Sequence, residues 1–345
     1  MTMPDAPLRL TLDTAVLTDN WRALDRLSGA ARAGAAVKAD AYGLGAARVV
    51  TALAGAGCSD FFVAHMAEAE PLLALTDPGS IAVLHGPRTM RDAAFARDAG
   101  IRPVINSLYQ AALWRDAGGG PCDLMVDSGI NRLGLSLSEL SDPLIAGLQI
   151  DALLSHLASA EEDTPMNRQQ CERWNQARRL VAHRRGSLAN SAGIMLGPDF
   201  HGDLTRPGIA LYGGVPCGAL GDVIRQVARP ETAIMQVRQV EAGAAIGYNS
   251  TFVAPQTMKV GVISLGYADG YLRSWSGKGA MLSGDARLPV LGRVSMDMTV
   301  IDLTAAPHLA EGDWVTADYA LPQAAAISGL SQYELLTTLG RRFPR

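Results

Sequence analysis

The spacing of apolar positions changes once along the chain. From about residue 14 to 212, short apolar runs alternate with longer stretches of helical spacing. The runs are AAV before Lys38, FFVA at 61–64, IAVL at 81–84, RPVIN at 102–106, CDLMV at 122–126, IDALLSH at 150–156, SLAN at 187–190 and LTRPGIALYG at 204–213. Between them, segments such as RDAAFARDAG and MNRQQCERWNQARRLVAHRR read as helices. Near-continuous apolar strands joined by helices predict a parallel sheet covered on both faces. Eight runs match a closed (β/α)8 barrel, whose working residues sit at the C-terminal ends of the strands and in the loops that follow them.

After about residue 225 the texture differs. ETAIMQVRQV, TMKVGVISLGYA, MLSGDARLPVLGRVSMDMTVIDL and GDWVTADY are rich in Val, Ile and Thr, alternate in part, and are punctuated by Gly, Pro and Asp. That is the signature of antiparallel β structure. The expected organisation is α/β: a TIM-type (β/α)8 barrel over residues 8–225, then a mainly antiparallel β domain over 226–345. The alternating LRLTLD at 8–13 is a candidate to pair with the second domain.

Composition narrows the function classes. With 48% hydrophobic and 19% charged residues the chain can bury a sizeable core, which argues against disorder. A net charge of −4 with no basic block argues against a nucleic-acid partner. The densest basic cluster, ARRLVAHRR at 177–185, has helical spacing and reads as a solvated helix face. Cys58, Cys122, Cys171 and Cys217 are far apart, so neither a zinc site nor a disulfide framework is expected. No signal pattern opens the chain, and no apolar run approaches the roughly 18 residues that span a bilayer. The expectation is a cytoplasmic protein with no membrane partner and no metal.

Against this background AAVKADAYGLG at 35–45 places a strongly hydrated cation, Lys38, in a run that otherwise reads as buried strand. A lysine near a strand end is most often a solvated edge residue. The alternative is an amine kept in a pocket to react with a carbonyl. Other polar residues fall at strand ends as well: Asp127, Asn131 and Arg132 after the fifth run, His156 closing the sixth, Asn190 and Ser191 after the seventh, and Arg206 and Gly208 within the eighth. Convergence on one rim of one barrel favours a site. A lysine able to form a Schiff base points to an aldehyde cofactor, pyridoxal 5'-phosphate being the obvious candidate. Ser191 at the opening of a helical segment, close approach at Gly208 and the Tyr42 hydroxyl suit a phosphate. Arg206, always protonated, suits an unprotonated ring nitrogen.

AVKADAYGLG, DSGINRLG, SHLASAEE, ANSAG, TRPGIALYG, IGYNSTF, GYADGYLR, GRVSMDMTVIDL and the terminal YELLTT…FPR occur in an order that resembles the alanine racemase family. The resemblance covers nearly the whole chain. It implies a fold-type III barrel followed by a β domain, and a head-to-tail homodimer with two shared sites and alanine as substrate. Lys38 would carry the cofactor and act as base and acid on the D face of the substrate. Tyr248, from the other subunit, would do the same on the L face, with His156 and Arg206 as the relay behind it. The implied cofactor contacts are Lys38, Tyr42, Arg132, His156, Asn190, Ser191, Arg206, Gly208 and Ile209. Arg132 would also meet the substrate carboxylate, together with the Met296 backbone N–H. Tyr267 and Asp297 would line the entrance or pocket.

Two positions depart from the family pattern. Many members carry a carbamylated lysine where this chain has Met125, so Arg132 needs other support: a chloride, a water or a neighbouring acid. A tyrosine that some relatives set against the phosphate aligns with Arg341. A broad-specificity amino-acid racemase on the same scaffold is therefore an alternative reading. So, from another class, is a non-catalytic pyridoxal-phosphate carrier, against which the long segment from 226 onward speaks.

Overall fold

The computed structural model describes residues 5–340, 342 and 343. They form two units: Thr14–Arg225, and Gln226 onward together with the residues up to Asp13.

The Thr14–Arg225 unit is a closed parallel barrel, and its first strand shows how closure works. That strand runs Arg32–Ala33 and, past Gly34, Ala35–Ala36. The N–H groups of Arg32, Gly34 and Ala36 donate to Asp203, Thr205 and Pro207 on one side; those of Ala35 and Val37 donate to Asp60 and Phe62 on the other. A strand bonded along both edges leaves no edge exposed. Gly34 is required there, because a Cβ would lie 2.8 Å from the Asp60 carbonyl oxygen. Phe61–Val63, Ile81–Val83, Arg102–Ile105, Pro121–Met125, Gln149–Leu154 and Arg185–Ser187 follow in spatial order. The eighth strand, Leu204–Thr205, pairs with Arg32–Ala33 and meets the seventh through Asp203 N–H to Gly186 C=O. Helices and loops cover the outside, so Phe61, Val63, Ile81, Val83, Val104 and Ile105 are fully buried, which is why these strands read as continuous apolar runs.

The barrel and the antiparallel domain are borne out, but some boundaries are corrected. SLAN at 187–190 is not a strand: the seventh strand is Arg185–Ser187, and Leu188–Ala189 are buried in the connection that follows. LTRPGIALYG contributes only Leu204–Thr205. Arg206 and Gly208 therefore lie past the eighth strand rather than in it. Pro207 has no N–H to extend the ladder, and Ile209–Tyr212 turns as a 3-10 helix ended by Gly213 at φ 95°. The helix expected to run through ARRLVAHRR is Pro165–Leu180, and Val181 is already extended. Arg185 is thus no solvated helix residue: it opens the seventh strand.

Arg185 belongs to a buried charge cluster at the N-terminal ends of the strands. It contacts Asp60 and Asp151, each at 2.7 Å. Arg102 reaches Asp60 at 2.9 Å and Asp123 at 3.4 Å. Burial holds the Asp123 carboxyl above the usual range, against the pull of Arg102.

In the other unit six antiparallel strands close on themselves: Ala228–Val240, Met258–Ile263, Thr299–Asp302, Ala286–Leu291, Ala280–Ser283 and Trp314–Ala317, which pairs back onto the first. Leu8–Leu12 joins Ala228–Val240 antiparallel, Leu8 opposite Thr232, with its leucines buried and Arg9 and Thr11 exposed. The helix Gln332–Thr337 starts with a reciprocal Ser331–Glu334 cap. No helix among the described residues is long and apolar enough to cross a membrane.

The charge cluster has a testable weight. Arg102→Ala leaves the fully buried Asp123 short of its partner and should cost about 3–5 kcal/mol, read as a lowered urea midpoint. Arg22→Ala, at an exposed pair with Asp19, should change stability by less than about 0.5 kcal/mol.

Candidate active site

Lys38 sits where the first barrel strand ends, on an unusual piece of backbone. Ala39, Asp40, Ala41 and Tyr42 all take left-handed conformations, with φ between 53° and 57°. For residues with a Cβ this costs about 1–2 kcal/mol each, so the turn needs specific bonds to persist. Ala41 N–H donates to Val37 C=O, Gly43 N–H to Ala39 C=O and Gly45 N–H to Asp40 C=O, each at 2.9 Å. The Asp40 carboxylate accepts from Ala46 N–H at 2.7 Å. The Glu68 carboxylate accepts from Ala39 N–H at 3.0 Å and, through its other oxygen, from Ala64 N–H at 2.7 Å. Sequence reading missed Glu68. Its signal was weak, one acid in a polar stretch just past the second strand.

Lys38, Arg132, His156 and Arg206 act on one another electrostatically and so share one rim. Burial lowers the Lys38 amine below its ordinary range, Arg132 and Arg206 push the same way, and Glu68 opposes them. Burial, then Arg206, Arg132 and Lys38, brings His156 down to about 3. Its imidazole is therefore neutral across the physiological range, with one nitrogen free to accept. Arg206 is buried and lowered by that burial to about 10, which still leaves it cationic at neutral pH. Its guanidinium donates to the Ser155 and Leu188 carbonyls and to the Ser187 hydroxyl. Gln170 donates to the His156 carbonyl at 3.0 Å, which fixes the backbone at that residue.

Arg132 lies on the loop after the fifth strand, held by one carboxylate. Asp127 accepts from the N–H groups of Gly129, Asn131 and Arg132 at 2.7, 3.1 and 3.0 Å. The Arg132 side chain is exposed, and among the described residues no carboxylate lies within ion-pair distance of it. Asp127 thus supports the Arg132 backbone, and no carboxylate among the described residues pairs with its guanidinium. Met125 is buried, and a Cβ at Gly134 would come within 3.0 Å of its side chain, so that corner is closely packed.

A second group forms a small hydroxyl-lined cradle. Ser191 Oγ accepts from Gly208 N–H at 2.9 Å and from Ala210 N–H at 3.3 Å. A hydroxyl that accepts two bonds keeps its own proton to donate. Any Cβ at Gly208 would fall 2.2 Å from the Tyr42 hydroxyl, so only glycine lets the chain pass. Tyr42 is buried against Tyr212, ring centroids 4.8 Å apart, and Tyr212 donates to Ala36 C=O. Asn190 Oδ1 accepts from Gly193 N–H at 2.9 Å, shaping the turn that carries Ser191. The N–H of Ile209 opens the 3-10 helix, at a position without an intrahelical partner. The Ser191 and Tyr42 hydroxyls and the Ile209 N–H, drawn together where the chain passes close at Gly208, fit a phosphate group.

The remaining candidates belong to the other unit. Tyr248 is exposed (64%) on the short turn Tyr248–Ser250, beside the left-handed Asn249 and Ser250. Tyr267 N–H donates to Ser295 C=O and Ala268 N–H to Met296 C=O, both at 3.0 Å, which joins Tyr267, Met296 and Asp297. Arg342 ties that group together, reaching Asp269 and Asp297 at 2.8 Å each. Arg341 lies outside the described residues.

Among the described residues no three His, Cys, Asp or Glu side chains are grouped to hold a metal ion, and the four cysteines are free thiols.

The His156 environment predicts a pH effect. Its pKa is about 6.5 unfolded and about 3 folded, so the unfolded chain binds the proton first. Stability on this account is flat above the unfolded value and falls as pH drops through that window. Urea midpoints at pH 7.5 and 5 should differ less for His156→Gln than for the unsubstituted chain.

Comparison with known proteins gives one answer. Residues 12–216 match the family model "Alanine racemase, N-terminal domain" and residues 227–345 match "Alanine racemase, C-terminal domain". A biosynthetic alanine racemase of Agrobacterium fabrum is 41% identical over 99% of this chain and 93% of its own length. A catabolic alanine racemase of the same organism is also 41% identical, over 97% of this chain and 91% of its own. The crystal structure of alanine racemase from Bartonella henselae with covalently bound pyridoxal phosphate superposes with a TM-score of 0.89, at 34% identity and 99% coverage of both chains. With both halves matched and relatives similar along their full length, the chain belongs to the alanine racemase family.

Proposed function

We propose that this chain interconverts L- and D-alanine with pyridoxal phosphate as cofactor, using two bases on opposite faces of the substrate, and that it works as a cytoplasmic homodimer whose sites are each completed by the second copy. One observation carries the reading. An amine, two guanidiniums and a neutral imidazole converge on the rim of a barrel in a chain similar along its full length to alanine racemases.

When bound, pyridoxal phosphate supplies the aldehyde that an amine condenses with and a conjugated ring that delocalises the electron pair left when a Cα–H bond breaks. The residues fit it. The Tyr42 and Ser191 hydroxyls and the N–H of Ile209 would hold its phosphate, with Gly208, whose own N–H is bonded to Ser191 Oγ, letting the chain approach and Asn190 shaping the turn. Arg206, a donor without a lone pair to accept, would face the ring nitrogen and leave it unprotonated. That limits electron withdrawal and favours return of the proton to Cα over side reactions. Arg132 would meet the substrate carboxylate and the phenolic oxygen, supported by a chloride or a water where relatives carry a modified lysine.

The bases must be matched, because racemisation runs both ways. Lys38 takes and returns the proton on the D side; its lowered pKa keeps more of the amine uncharged near neutrality. Tyr248 of the second copy does so on the L side. A free phenol has a pKa of about 10, so it needs help: the neutral His156 accepts its hydrogen bond and Arg206 favours its anion. Met296 N–H, Tyr267 and Asp297 of the second copy would line the substrate pocket. Provision of D-alanine for peptidoglycan and breakdown of alanine use identical chemistry, and relatives named for each are equally similar.

Four outcomes test this. Borohydride reduction of the purified holoenzyme followed by peptide mapping should label Lys38; labelling elsewhere overturns its role. Tyr248→Phe should lower kcat by about 100-fold or more while the visible cofactor absorbance and the Lys38 label persist. Gly208→Ala should weaken cofactor binding, seen as a higher pyridoxal phosphate concentration for half-saturation. Turnover of L-lysine or L-arginine equal to that of L-alanine would replace alanine by a broader substrate class.

A further inference from the structure

We infer that Glu68 is a positioning residue for Lys38: its carboxylate ties the left-handed turn that presents the amine to the end of the second barrel strand, and sets a negative charge beside a rim of cations. This rests on the reading of Lys38 as the reactive amine.

The geometry argues for a carboxylate at this position. Ala39 N–H, directly after Lys38, and Ala64 N–H, directly after Phe61–Val63, point to the two oxygens of one side chain, at 3.0 and 2.7 Å. A carboxylate accepts twice and donates nothing, whereas an amide would set its NH2 against one of the two N–H groups. The bridge holds the turn at the residue where left-handed backbone begins, next to Lys38 itself. A turn of this kind persists only when its surroundings over-determine it. The turn's bonds described above come from its own backbone or from the Asp40 carboxylate, whereas Glu68 anchors it to the end of a different strand.

The charge matters as well. Lys38 is acted on by Arg132 from the loop after the fifth strand and by Arg206 from just past the eighth, with His156 close by after the sixth. On the Glu68 side lie His85 and His65, edge to face with centroids 4.5 Å apart. Burial, then the neighbouring His65, lowers His85. Glu68 is the acid beside these cations, and it raises the Lys38 amine against burial and the two arginines. Without it the amine sits both looser and further depressed.

The test measures the amine itself. Reductive methylation of the full-length, cofactor-free chain by formaldehyde and cyanoborohydride, mapped by peptide across pH, gives the midpoint at which Lys38 becomes reactive. Lys278, exposed in the other unit, serves as internal standard. Glu68→Gln should move the Lys38 midpoint down by about half a pH unit or more and leave Lys278 unchanged. In the loaded enzyme kcat should fall about tenfold and the KM for alanine should hold. An unchanged midpoint with unchanged kcat overturns the inference. If the Gln variant does not fold, Glu68→Asp decides: it keeps the charge but shortens the tether, so the midpoint should hold while kcat falls, and wild-type kcat sinks the tether. Failure of borohydride to label Lys38 in the unsubstituted holoenzyme refutes the reading of Lys38 instead, whatever Glu68 does.

Discussion

An amine that is to react must be uncharged some of the time, and water opposes this by solvating the ammonium. The barrel rim answers with burial and with positive neighbours: Arg132 and Arg206 both press on Lys38, and His156 is pushed low enough to be neutral near pH 7. The same positive field favours anions, which is the character of an amino-acid carboxylate and of a phosphate. In the proposed function one electrostatic arrangement thus serves both recognition and reactivity. The backbone contribution is steric: a left-handed turn that L-residues resist follows Lys38 directly, at the end of the strand that closes the barrel.

The rest of the barrel unit supplies the rigidity this demands. The candidate groups arrive from the ends of different strands, so their relative positions depend on closure of the sheet. The charge cluster around Arg102 and Arg185 lies at the other ends of those strands and links Asp60, Asp123 and Asp151 from three of them. A buried cluster of this kind is a modest contributor to net stability but penalises any misassembly that leaves one charge alone. The barrel therefore holds paired charges at one end of its strands and, at the other, the unbalanced charges to which the proposed chemistry is assigned.

Where sequence reading succeeded and where it slipped have the same cause. A parallel barrel covered by helices buries both faces of each strand, so its strands appear as continuous apolar runs and their number could be read directly. Burial is not pairing, however. Leu188, Ala189 and Ile209–Tyr212 are as buried as strand residues although they lie in connections, and the pattern therefore extended the seventh and eighth strands too far. Arg185 read as a helix face because its partner Asp60 stands 125 residues away. Of the site, Lys38, Arg132, His156 and Arg206 stood out as polar residues at apolar strand ends, and the structure brings them together. Glu68 did not stand out, because an acid beside a helix start is ordinary until the turn it grips is known to be left-handed.

What the sequence determined by itself was the kind of protein: two textures, eight buried strands, and a set of motifs whose order is that of one family. These follow from local periodicity and residue chemistry, which need no coordinates. Only the tertiary structure decided how the groups influence one another: that Lys38 is depressed, that His156 is neutral, that Arg132 lacks a carboxylate partner among the described residues, and that Glu68 joins two strands through one side chain. Electrostatic and hydrogen-bond effects depend on distance and burial, and residues far apart in the chain acquire both only when the barrel closes.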